Sequence, residues 1–137
     1  MDVIAELEQH FRAKLDSMAV ELRTEFPEIT VSVTSGLAGS LTGYDSYAMH
    51  LSCTLHNRKV NEPDSVVLEF AVKHVNANPV FNYADVCWDH PSGFIEDELA
   101  GEEMSYSKEV LTLIETGLPH LFASLKEAVR RGKPSNS

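Results

Sequence analysis

Tyr47-Ala48-Met49-His50-Leu51-Ser52-Cys53-Thr54-Leu55-His56 is the stretch on which the fold turns. On an extended chain Tyr47, Met49, Leu51, Cys53 and Leu55 share one face, and Ala48, His50, Ser52, Thr54 and His56 share the other. Such alternation belongs to a sheet packed on one side and wet on the other, the usual condition of an antiparallel sheet. Three further stretches read the same way. Ile29, Val31 and Val33 alternate with Thr30, Ser32 and Thr34, and Ser65 to Val75 sends Val66, Leu68, Phe70 and Val72 inward with Glu69 and Lys73 outward. From Val80 to Trp88 the pattern divides Phe81, Tyr83, Asp85 and Cys87 from Val80, Asn82, Ala84, Val86 and Trp88, which leaves its buried side open. Asn57 to Asp64 reads as a polar hairpin loop and Asn76-Ala77-Asn78-Pro79 as a compact turn. Both are too short for the crossovers that parallel strands need, so the four strands form an antiparallel meander.

Outward from the sheet, both ends of the chain change period. Leu7, Phe11, Leu15, Met18 and Leu22 recur every three or four residues, which predicts an amphipathic helix over residues 2 to 25 with Asp2 at its start and Pro27 beyond its end. Val110, Leu111, Ile114, Leu118, Leu121, Phe122, Leu125 and Val129 carry a second stripe. Gly117-Leu118-Pro119 interrupts that stripe and predicts two helices or one kinked helix, ending near Gly132. The predicted architecture is α+β: a four-stranded antiparallel meander sheet with N-terminal and C-terminal helices packed on one face. Residues 1–132 form a single domain in this reading, and 133–137 a disordered tail.

At 137 residues, 43% hydrophobic and 23% charged, the chain has the composition of an ordinary globular domain. No apolar run reaches the roughly 18 to 20 residues needed to span a bilayer, and the N-terminus lacks the basic and apolar regions of a secretory signal. A cytoplasmic location is expected, with Cys53 and Cys87 as reduced thiols. The 21 acids outnumber the 11 bases, a net charge of −10. That balance argues against nucleic acid and anionic membranes as partners and is compatible with a basic protein.

Several stretches invite chemistry. Ser35 to Gly43 is rich in glycine, but no lysine follows the last glycine and a strand rather than a helix comes next, so a flexible connection is expected instead of a phosphate loop. His50 and His56 lie about 20 Å apart on a strand, too far to share zinc, and read as solvated surface groups. In Cys87-Trp88-Asp89-His90-Pro91-Ser92-Gly93, Asp89 could orient His90 as a base beside Ser92 or Cys87, but neighbours on an extended chain point apart, and a turn is the simpler reading. No catalytic set, metal site or cofactor is therefore expected. Glu96-Asp97-Glu98-Leu99-Ala100-Gly101-Glu102-Glu103 gathers five acids without a base. It reads as a solvated loop able to act as a docking patch, with Phe94 and Trp88 beside it as aromatic anchors.

The functional expectation is a small acidic protein-binding domain, in the manner of an immunity-type or inhibitor protein. It would dock a basic partner through Trp88, Phe94, Glu96, Asp97, Glu98, Glu102 and Glu103. The alternative is a dimeric chaperone of the secretion type, which predicts a homodimer but also a helix between strands that the meander lacks. A hydrolase-type enzyme using Asp89 and His90 ranks third.

Overall fold

Asp2 opens the first helix because its carboxylate accepts the otherwise unpaired amides of Ile4 (3.1 Å) and Ala5 (3.3 Å). Helix α1 then runs Val3–Glu25 and buries Val3, Leu7, Phe11, Leu15, Ala19 and Leu22. Phe26 closes it by donating its amide to the carbonyl of Leu22, at 2.8 Å, before Pro27 turns the chain away. The structure, a computed structural model, describes residues 2–38, 45–56, 58–59, 62–89, 94–99 and 103–132.

Four long strands follow: β1 (Thr30–Ala38), β2 (Ser46–Thr54), β3 (Ser65–Lys73) and β4 (Val80–Trp88). Each pairs antiparallel with the next, giving the expected meander. The sheet is larger than four strands. Two short pieces, β5 (Ile95–Glu98) and β6 (Met104–Ser105), both pair with β4, β5 along its C-terminal half and β6 along its start. The acidic run expected as a solvated loop therefore gives its first residues to an edge strand. Of the glycine-bearing stretch, residues 35 to 38 extend β1, and 39 to 43 lie outside the described residues.

The uncertain side of β4 has a simple cause. A β-bulge falls opposite Ala71 and Val72: Tyr83 pairs with Ala71 but Phe81 pairs with Val72, so Asn82 is the extra residue. The bulge shifts the alternation by one. Phe81 thus reaches the same core as Ala84, Val86 and Trp88, while Asp85 and Cys87 go to the opposite face. The grouping of Phe81 with Asp85 and Cys87 is accordingly corrected.

Helix α2 spans Lys108–Gly132 as one helix with Pro119 inside it, so of the two expected alternatives the division into two helices is corrected. Pro119 is exposed, so the carbonyl it leaves without its helical donor can turn to water and the helix need not break. Gly117 lets the backbone pass Leu99, whose Cδ2 would stand 2.4 Å from an added Cβ. Both helices pack on one face of the sheet. Phe11 meets Phe70 edge-on, with ring centroids 5.1 Å apart, and Leu51, Leu68, Val86, Ile114 and Leu121 fill the layer. Each such fully buried side chain contributes about 1.5–3 kcal/mol, largely offset by chain entropy.

Candidate functional site

Register decides what the uncovered face of the sheet displays, because directly paired residues on neighbouring strands point to the same side. His50 pairs with Glu69, Glu69 with Asp85, and Asp85 with Glu98. One row across four strands therefore reads His, Glu, Asp, Glu. Cys87 lies two residues beyond Asp85 on that side, paired with Val67 and Ile95. Among the described residues no helix covers this face.

The row is tightly knit. His50 Nε2 lies 3.1 Å from Glu69 Oε2, and the thiol of Cys87 donates to Glu69 Oε1 at 3.4 Å. One oxygen each of Glu69 and Asp85 and the sulfur of Cys87 all lie within 4.8 Å of one another. Asp85 is only 9% exposed, the one charged residue in the buried set among the described residues, and its Oδ1 has no hydrogen-bond partner. Cys87 and Glu69 are the hydrogen-bonding neighbours of this carboxyl.

Burial, then the nearby charge of Glu69, pushes the Asp85 carboxyl up to about 7. Burial acts the same way on Glu69, but the hydrogen bond and charge of His50 outweigh it and hold Glu69 below the usual carboxylate range. Burial, reinforced by Glu69 and Asp85, pushes the Cys87 thiol up to about 12. The sulfur is a neutral thiol at physiological pH and a poor nucleophile. Cys53 is also pushed up to about 12, by burial in the core.

The acidic segment is placed differently from the docking patch that its composition suggested. Glu96 accepts from the indole of Trp88 at 2.8 Å and also pairs with Arg131. Asp97 takes Ser124 and His120 on α2, each at 2.6 Å, and Glu103 pairs with Lys73. These carboxylates fasten the edge of the sheet to its surroundings. Trp88 is 8% exposed and belongs to the core, where its ring lies against Gly132. Phe94, Ile95 and Glu98 remain in solvent, and Glu102 lies outside the described residues.

The remaining histidine and turn readings also meet their surroundings. His56 is exposed, as expected, and bonds the hydroxyl of Thr30 at 2.7 Å, whereas half-buried His50 belongs to the acidic row and is not a merely solvated surface group. Asp89 is exposed, its amide held by the Ser65 carbonyl, while His90 and Ser92 lie outside the described residues. Sequence reasoning missed Glu69, Asp85 and Cys87 as a group. The outward position of Glu69 was visible, but its meeting with Asp85 and Cys87 depends on the pairing of two strands and on a bulge.

Compared with known proteins, the chain matches no family model, no curated protein and no solved structure at a significant level, so the chemistry of the site rests on its own geometry.

Proposed function

We propose that this chain is a protein-recognition domain that takes a basic, extended segment of a partner against the β5 edge and the uncovered sheet face, as an immunity-type or inhibitor protein would. One observation carries the reading. Phe94 and Ile95, 58% and 52% exposed, stand side by side at an edge strand that also presents Glu98. Isolated apolar residues on a surface are ordinary, but adjacent ones on an edge strand form a template for an added strand. Main-chain pairing would supply affinity, Ile95 an apolar contact, and Glu98 with the overall charge of −10 a preference for lysine and arginine. The domain has two free thiols and, among the described residues, no helix long and apolar enough to cross a membrane. A cytoplasmic setting completes the proposal.

The test uses fluorescently labelled peptides alternating lysine with valine, and the same peptides with glutamate in place of lysine. The lysine peptide is expected to bind saturably and to be released near 1 M salt, where the Debye length falls to about 3 Å. Ile95→Asp should abolish its binding. A chain that ignores both peptides, or binds them alike with and without Ile95, would rule the reading out.

A further inference from the structure

The uncovered face, on β3 and on β4 beside the β5 edge strand, holds an arrangement that protein docking does not explain. Two carboxylates and a thiol converge there, and one of the carboxylates is more than nine-tenths buried with an oxygen that nothing satisfies. A buried polar atom without a partner costs about 1–3 kcal/mol, and two adjacent carboxylates repel. A bound cation would remove both penalties at once. We propose that Glu69, Asp85 and Cys87 form a binding site for a zinc-class divalent metal ion.

The donor set selects the metal. Calcium and magnesium take oxygen ligands, and a thiolate in the set disfavours them. Borderline-soft zinc accepts sulfur and carboxylate oxygen together, at about 2.3 Å and 2.0–2.2 Å. Tetrahedral ligands at those lengths stand roughly 3.3–3.8 Å from one another. The ligand atoms lie within 4.8 Å of one another, so ligation asks them to close by about an ångström. Binding would displace the thiol proton of Cys87, so that the sulfur ligates as thiolate.

The surroundings support the same assignment. Glu69 Oε2 is held by His50 while Oε1 points to Cys87, which resembles the outer hydrogen bonds that orient metal ligands. Three protein ligands leave a fourth position for water or a further donor.

The full chain, stripped with a chelator and then dialysed, is titrated with zinc by calorimetry and with cobalt by absorbance. The expected result is one zinc per chain, undisturbed by excess magnesium or calcium, and a thiolate-to-cobalt charge-transfer band with cobalt. Cys87→Ser should remove the band, and Asp85→Asn, which removes a ligand, should weaken zinc by more than the roughly ten- to a hundredfold that loss of an outer-shell partner costs. Zinc should also shield Cys87 of the unaltered chain from alkylation, a readout that needs no variant. Circular dichroism separates lost binding from lost folding. A wild-type chain that shows no cobalt band and no zinc protection overturns the proposal, as does a band that survives in folded Cys87→Ser. The peptide experiment depends on Ile95 and on charge, so either proposal can fail without the other.

Discussion

Glu8 shows how a single charged residue is given a definite place between helix and sheet. It sits on α1, where Arg12 bonds it at 3.0 Å, and it accepts the hydroxyls of Ser35 on β1, at 2.6 Å, and Tyr47 on β2. Burial alone would raise its pKa, but the bonds from Ser35, Tyr47 and Arg12 outweigh that and bring it below the ordinary value of 4.5. A carboxyl with a depressed folded-state pKa adds stability that is present above its unfolded pKa and lost as the pH falls through the folded value. Glu8→Gln should therefore be less stable than wild type near pH 7, and the difference should shrink towards zero near pH 3. Urea unfolding at the two pH values measures it, and a difference that does not change with pH would refute the assignment. None of this was legible in the sequence. Glu8 lies on the polar side of the predicted helix, and only the docking of α1 on β1 and β2 shows that this side meets Ser35 and Tyr47.

Among the elements, the strands that announce themselves do so through alternation, and β1 to β4 were all readable on that ground. β5 was not. Ile95-Glu96-Asp97-Glu98 has one apolar residue in four, so it carries no period-two signal of burial. What holds it is polar: Asp97 to α2, Glu96 to Arg131 and Trp88, and main-chain pairing with β4. A composition that reads as a solvated loop becomes a strand because its carboxylates find donors that are distant in sequence. The candidate site was hidden for a related reason. Alternation identifies which residues share a face, but the bulge between Phe81 and Tyr83 resets that alternation, and register alone brings Glu69 to Asp85. Helix α2 shows the opposite error, where a local rule overstated its effect. Proline inside a helix costs about 3 kcal/mol, yet packing of Val110, Leu111, Ile114, Leu118, Leu121 and Leu125 holds the helix through it. Pro119 is exposed and touches little of this core, so Pro119→Ala should restore the missing bond and raise stability by about 1–3 kcal/mol in denaturant unfolding. A loss of stability would mean that the proline sets a bend the core requires.

Over the whole molecule two electrostatic effects oppose each other. The helices are laced by contact pairs: Lys14 with Glu115 at 3.6 Å, Lys126 with Glu21 at 3.0 Å and Glu25 at 2.7 Å, and Arg130 with Glu25 at 2.8 Å. These lie at the surface, where such pairs are worth about 0–1 kcal/mol each. Against them stands a net charge of −10, whose self-repulsion disfavours every compact state. Both effects are electrostatic, so the range over which each acts decides the sign. Contact pairs act within about 4 Å, whereas the excess carboxylates repel across the whole domain. The Debye length is about 30 Å at 0.01 M salt and about 8 Å at 0.15 M, so added salt removes the long-range repulsion first and leaves the contact pairs largely in place. The melting temperature should therefore rise between those two ionic strengths, as followed by circular dichroism. Lys126→Gln should preserve that rise while lowering stability at both, because it removes the contact pairs with Glu21 and Glu25 and deepens the excess of negative charge. A melting temperature that falls with salt would show that the bridges between the helices, rather than the net charge, govern the stability of the domain.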